Sequence, residues 1–441
     1  MSKIVVKFGG SSLADAAQFQ KVKSIITADA GRRYVVPSAP GKRCADDIKV
    51  TDMLYTCHRQ AGEGVSFDDT LAQIKARYQE IINTLGLSLS LDDAFAEIRK
   101  QLSTGASKDY AASRGEYLNG MLLADYLGVP FVDAAEIILF DTDGSFLLDE
   151  TISAVRARLK DLPSAVIPGF YGATRSGLVK TFSRGGSDVT GSIIARAVKA
   201  TIYENWTDVS GFLVADPRIV EKPEGINTIT YEELRELSYM GATVLHEDAI
   251  FPVRTAGIPI NIRNTNDPDA PGTMIVSDDN DEPSRYTITG IAGKKGFCAI
   301  NIQKAMMNSE LGFCRKVLEV LENHGISFEH MPSGIDTMSI ILSKAELEGK
   351  EQAVFSDIRK AVNPDHIDLE QGIALLAIVG RGMRRTRGTA ARIFAAMAHA
   401  RINVKMIDQG SSELNVIIGI SEADFEEATR RIYDMFIGSE S

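Results

Sequence analysis

Ile4-Val5-Val6-Lys7-Phe8-Gly9-Gly10-Ser11-Ser12 is the stretch on which the fold class turns. Ile4–Val6 reads as a short buried strand, and Leu13 to Ile26 carries helical spacing. A strand, a glycine loop and a helix start form a phosphate cradle. Backbone N–H groups face the anion and a lysine neutralises its oxygens. The lysine precedes the glycines, so the segment is neither a P-loop nor the dinucleotide GxGxxG pattern. Alone, Lys-x-Gly-Gly also fits an ordinary strand-to-helix turn.

A second segment tips the balance. Thr181-Phe182-Ser183-Arg184-Gly185-Gly186-Ser187-Asp188 runs directly into a helix-like stretch, Val189 to Ala200. Arg184 offers a planar fork for a carboxylate, and the glycines let a ligand approach the backbone. Ser187 or Asp188 can cap the helix, whose exposed N–H groups favour an anion. Packing alone rarely calls for this combination, so the pair of segments points to a small-molecule, phosphate-bearing ligand.

Between and beyond them, short apolar runs alternate with longer helical patterns up to about Val276. Strand candidates are Ile4–Val6, Tyr34–Pro37, Phe131–Asp133, Ala165–Ile167, Thr201–Asn205 and Pro259–Ile262. Tyr117–Leu127 and Ile152–Leu162 read as helices. Such alternation argues for an α/β sandwich with a largely parallel sheet, with ligands at the loops after strands. The polar, acidic run Ser277 to Ser284 then reads as a boundary.

Past the boundary the chain repeats itself. A shift of 76 residues carries Ile326 onto Ile402, Met307 onto Met383, Gly312 onto Gly388 and Gly334 onto Gly410. Val317, Leu318 and Leu321 fall on Ile393, Phe394 and Met397, so one loop–helix–strand unit is used twice.

Bulk properties exclude other classes. The 441 residues allow two or three domains, and 44% hydrophobic with 24% charged residues is ordinary globular composition. A net charge of −11 argues against a general nucleic-acid or anionic-membrane surface. No run approaches the roughly 20 apolar residues of a membrane span, and no signal peptide opens the chain. Cys44, Cys57, Cys298 and Cys314 form no CxxC or zinc spacing and read as buried free thiols, as expected in a reducing cytoplasm.

The ordered set Lys7–Ser12, Ser113-Arg114-Gly115-Glu116, Pro168-Gly169-Phe170, Ser183–Asp188, Trp206–Gly211, Asp216-Pro217-Arg218 and Gly241–His246 resembles the amino acid kinase superfamily, and within it the aspartate kinases. The resemblance covers most of the first 275 residues. It implies an αβα sandwich with a mostly parallel sheet, and transfer of the γ-phosphoryl of ATP, with Mg²⁺, to the side-chain carboxylate of L-aspartate. A carboxylate is already ionised near neutral pH, so alignment and charge neutralisation matter more than a general base.

By the same resemblance, Lys7 contacts the transferring phosphate and Asp188 organises the catalytic centre. Gly9, Gly10, Ser11, Ser38, Thr207, Asp208 and Arg218 hold ATP. Thr51, Glu116, Arg184 and Ser187 hold aspartate, with Arg184 on the α-carboxylate and Glu116 on the ammonium. No dedicated metal residue is implied. Two positions depart from the family: Thr243 stands where a nucleotide lysine is common, and Leu213 where an aromatic is. Lys42, Arg43 or Lys180 are candidates to replace the missing cation.

The duplicated unit resembles tandem ACT modules, ferredoxin-like βαββαβ domains that bind regulatory amino acids. The implied division is a catalytic domain at 1–276, a linker at 277–285, a first module at 304–370, and a discontinuous second module at 286–303 and 371–441. Ser309, Ser327, Phe328, Glu329 and Ser333 are the implied effector contacts, with lysine or threonine, or both, as effector and a homodimer or homotetramer as the assembly. A β-turn on Pro332 and Gly334 is the plain structural reading of that segment. A different amino acid kinase, or an amino-acid sensor without turnover, are the competing functions.

Overall fold

The computed structural model describes residues 2–183, 185–242, 245, 247–278 and 285–438. They divide into two compact units. The first comprises 1–212, 225–231 and 244–280; the second takes 213–224, 232–243 and 281–441.

The first unit is built on a seven-stranded sheet. Its strand order is Ala165–Val166, Arg32–Pro37, Ile4–Phe8, Ile202–Thr207, Ile260–Asn264, Thr273–Val276 and Thr228–Thr230. All neighbours are parallel except Ile260–Asn264 with Thr273–Val276. Ile4–Phe8 lies in the middle and every residue of it is buried, as a strand covered on both faces requires. Asp15 caps the Ala16–Thr27 helix by accepting from the Gln18 N–H at 3.0 Å. That helix buries Phe19, Val22 and Ile25, a helical stripe turned to the core. Phe131, expected as a strand, contributes only an isolated bridge to Val166. A small sheet of Leu139–Phe140, Tyr171–Thr174 and Val179–Thr181 stands apart.

The second unit holds one antiparallel sheet of five strands, in the order Thr337–Ser343, Gly290–Gln303, His366–Val379, Asn415–Ser421 and Val404–Asp408. The helices Phe313–Asn323 and Thr389–His399 occupy equivalent places in the repeat, each starting at a left-handed glycine, Gly312 or Gly388. A positive φ there (78° and 84°) is tolerated because glycine has no Cβ. The copies differ after the helix. Val404–Asp408 is a full strand, whereas the equivalent first-copy segment makes only bridges, His330 to Ile341 and Ser333 to Met338.

Gly290–Gln303 is shared between the copies. Gly290–Lys294 pairs with Leu375–Val379; after a register shift, Phe297–Gln303 pairs with Thr337–Ser343 and with the His366–Ile373 half. Cys298, Ile300 and Ile302 accordingly pack with Phe313, Val317 and Ile358 in a first-copy core. Of the cysteines, Cys57 and Cys298 are buried as expected, Cys44 is exposed and Cys314 intermediate. Cys44 falls in an irregular stretch with no sheet or helix to cover it. Among the described residues no helix is long and apolar enough to cross a membrane.

Candidate active site

The glycine loop leaves the central strand as its sequence suggests. Gly9 donates its N–H to Trp206 O at 2.9 Å, and a short turn, Gly10–Leu13, follows. Gly10 must be small, because a Cβ there would lie 2.8 Å from Ala39 O. The reason is a second loop, Ser38–Gly41, folded onto the first: Ser38 N–H donates to Phe8 O at 3.0 Å and Gly41 N–H to Gly10 O at 2.8 Å. The Val50–Gly62 helix starts from that loop and carries Thr51 in its first turn.

Lys7 is the only lysine in the central strand, and it is buried. Its Nζ lies 2.6 Å from Asp188 Oδ1 and 3.4 Å from Asn205 Oδ1, while Asn205 Nδ2 donates to Asp188 Oδ1 at 2.8 Å. Asp188 therefore holds the lysine rather than capping its helix. The N-cap of Gly186–Val198 is Gly185, in the left-handed region, with no side-chain cap. This corrects the expectation that Ser187 or Asp188 caps: the Asp188 carboxylate is drawn to the cation instead. Ser187 is buried in the first turn against Gly169, where a Cβ would come within 2.6 Å of it. Phe170, next to Gly169, sits at φ 79°, a strained value for a bulky residue.

Glu116 lies on the Lys108–Leu127 helix, which approaches the Ser38–Gly41 loop through Gly115. A Cβ at Gly115 would strike Ala39 Cβ at 2.7 Å. Burial pushes the Glu116 carboxyl up to about 8, against the opposing hydrogen bond from the Ala39 backbone and the Arg114 charge. Its Oε2 is buried and has no hydrogen-bond partner among the described residues. Arg114 itself stacks over Tyr110, Tyr117 and Tyr171.

Lys7, Gly9, Gly10, Ser38 and Asp188 are thus brought together by direct contacts, and Glu116 follows Gly115, which abuts Ala39 of the same loop. Ser11 follows within the glycine turn. Thr207 ends the strand beside Lys7's, and its hydroxyl donates to Asp208 at 3.1 Å. Arg184 and Thr243 lie outside the described residues. Arg218 falls in the second unit, exposed and paired with Asp216 at 2.6 Å. Among the replacement cations, Arg43 is bound to Asp47 at 2.9 Å, Lys180 lies 3.6 Å from Asp109, and Lys42 donates to Ala45 O at 3.0 Å. Asn205 and Asn119 were not singled out from sequence. Asn205 leaves a signal: a polar residue inside an otherwise buried parallel strand.

In the second unit, Ser309 Oγ donates to Met306 O at 2.8 Å, on a turn tied to the next loop by Asn308 N–H to Ile335 O at 3.1 Å. Ser333 lies on that loop, bridged to Met338, and Ser327 and Phe328 are exposed. Glu329 accepts from the Tyr239 hydroxyl, which this bond pushes up to about 12.

A parallel sheet carrying a lysine–aspartate pair beside a glycine loop defines a phosphotransferase of the amino acid kinase class. Residues 2–264 match the amino acid kinase family, and 376–436 match the ACT domain. Aspartokinase 3 of Bacillus subtilis is 41% identical over 98% of this chain and 98% of its own. The crystal structure of Clostridium acetobutylicum aspartate kinase, described as an allosteric enzyme, superposes with a TM-score of 0.92 at 54% identity, covering 99% of this chain and 100% of that one. Escherichia coli aspartokinase III, in complex with aspartate and ADP, shares the fold at 22% identity (TM-score 0.71; 98% and 99% covered). The chain belongs to the amino acid kinase family and, within it, to the aspartokinases, which phosphorylate aspartate at the expense of ATP.

Proposed function

We propose that the Lys7–Asp188–Asn205 cluster, at the foot of the glycine loop, is where this aspartokinase transfers its phosphoryl group. The observation that carries this reading is a buried lysine held by a carboxylate and an amide next to a loop that must be glycine. Lys7 neutralises the γ-phosphoryl while Gly9, Gly10, Ser11 and Ser38 line its path. Thr207, Asp208 and Arg218 hold the nucleotide. Thr51, Arg184 and Ser187 hold the substrate, and Glu116 takes its ammonium. No dedicated metal residue is assigned, and Mg²⁺ is carried on the ATP phosphates.

The C-terminal unit is a regulatory pair of ACT modules divided within Gly290–Gln303, the half after the register shift serving the first copy. The allosteric description of the Clostridium acetobutylicum relative supports this role. Lysine is the first effector to test and threonine the second, acting on a homodimer or homotetramer in the cytoplasm through Ser309, Ser327, Phe328, Glu329 and Ser333.

The test is ADP release with ATP, Mg²⁺ and L-aspartate, against L-glutamate, with and without lysine or threonine. Aspartate-dependent turnover lowered by either amino acid is the expected result. A folded enzyme indifferent to both would overturn the effector assignment. A Lys7→Met variant with unchanged turnover would overturn the site.

A further inference from the structure

The Lys108–Leu127 helix holds the active-site loop at one peptide group. Asn119 Nδ2 donates to the Ser38 carbonyl at 2.6 Å, and the Ala39 backbone of the same peptide lies near enough to the Glu116 carboxyl to oppose the rise in its pKa. Gly115 makes the approach possible, since any side chain there would collide with Ala39. Gly115, Glu116 and Asn119 are spaced i, i+1 and i+4, so Glu116 and Asn119 are one turn apart and neighbours on one face.

Each of the two side chains also has an oxygen left over. Asn119 is fully buried and Glu116 nearly so, yet Asn119 Oδ1 and Glu116 Oε2 both lack a hydrogen-bond partner among the described residues. The Asn119 assignment is fixed by its contact, because only the amide nitrogen can donate to the Ser38 carbonyl. Leaving one buried acceptor unsatisfied costs about 1–3 kcal/mol, so a bound donor that reaches both would recover that cost. An ammonium has three N–H bonds and a charge that a carboxylate and an amide oxygen together neutralise and orient.

We propose that Asn119 is a specificity-determining residue of the aspartate site. Its amide nitrogen pins the Ser38–Ala39 peptide, and its Oδ1 joins Glu116 Oε2 as a two-oxygen acceptor for the substrate's α-ammonium. This rests on the assignment of the ammonium to Glu116. The pinned peptide lies in the loop that meets the glycine turn at Gly10, so one residue sets both the ammonium pocket and the spacing from it to the phosphate cradle.

The experiment compares wild type, Asn119→Leu and Glu116→Gln with aspartate as substrate and succinate, its analogue lacking the amine, as competitor. For Asn119→Leu, KM for aspartate rises about tenfold or more while the affinity for succinate changes far less, so amine discrimination falls. A folded Asn119→Leu enzyme that discriminates like wild type overturns the proposal. Glu116→Gln separates the two failures. If it loses discrimination and Asn119→Leu does not, the Asn119 proposal alone falls. If neither loses it, the ammonium is held elsewhere and both fall. Should Asn119→Leu not fold, Asn119→Ser, which is smaller and keeps a hydroxyl too short to reach both partners, takes its place. Lost amine discrimination in that variant supports the proposal, and retained discrimination overturns it.

Discussion

Glu116 and Glu233 are both buried, and their surroundings treat them in opposite ways. Glu233, in the second unit, has no exposed surface and is saturated: its carboxylate accepts from Arg381 N–H at 2.6 Å, from the Arg381 guanidinium at 2.8 Å and from Thr289 Oγ1 at 2.7 Å. Glu116, in the first unit, is buried beside the Ala39 loop with one oxygen that has no partner among the described residues. A carboxylate fixed on every side serves the fold. A carboxylate left incomplete is what the proposed ammonium site requires, because the missing donor is the ligand's to supply.

The largest effect that would test this contrast is on stability. Glu233→Ala leaves the Arg381 guanidinium beside a hole and should cost about 3–5 kcal/mol, read from chemical unfolding of the second unit. A loss below about 1 kcal/mol would mean that the cluster is not the anchor its geometry describes. The segment Glu232–Thr243 groups with the second unit although it lies inside the kinase-family match, so this glutamate's role is tied to the regulatory half of the chain.

Next in size is the effect at Lys7, the proposed phosphate contact. Lys7→Met keeps the length of the side chain and removes its charge, leaving Asp188 with Asn205 alone. Turnover should fall by about 10²–10³ with the fold retained by circular dichroism, the usual cost of one preorganised donor at a developing charge. A fall of less than tenfold would move phosphoryl stabilisation to another cation.

Much of this was legible in the chain. The strand Ile4–Phe8 and its glycine turn were announced by a continuous apolar run followed by Gly9-Gly10, a local signal that parallel sheets preserve. The repeat was legible because helix faces and capping glycines recur at a fixed spacing. Other features depend on contacts between residues far apart in sequence. Asp188 reads from local pattern as a helix cap, and only the family resemblance gives it the cation-holding place that its contact with Lys7, on a distant strand, occupies. Asn119 reads as one more polar residue of a helix until the Ser38 loop folds onto it. The first copy's missing strand was equally hidden, since Ile326 and Ile402 start segments that differ in pairing rather than in pattern.

A smaller effect sharpens the contrast from the other side. Glu116→Gln should raise KM for aspartate by about tenfold or more, because a charged hydrogen bond is lost. Its thermal stability should not drop as that of Glu233→Ala does, since the amide, like the protonated acid it replaces below about pH 8, brings no charge into the pocket. Equal destabilisation of the two variants would erase the distinction drawn between these glutamates.

The smallest effect, counted per pH unit, is one of pH. The Glu116 carboxyl is raised from 4.5 to about 8, so between those values the folded enzyme holds a proton that the unfolded chain has released. Stability therefore falls as pH rises through this window, by up to about 1.4 kcal/mol per unit, and Glu116→Gln removes that part of the slope. Binding an ammonium demands the ionised form, so aspartate must expel the proton. KM for aspartate should then drop as pH rises toward 8, by at most about tenfold per unit, and level off above it. A KM that is flat between about pH 6 and 9 in wild type, or that keeps its slope in Glu116→Gln, would show that the titrating group is not Glu116.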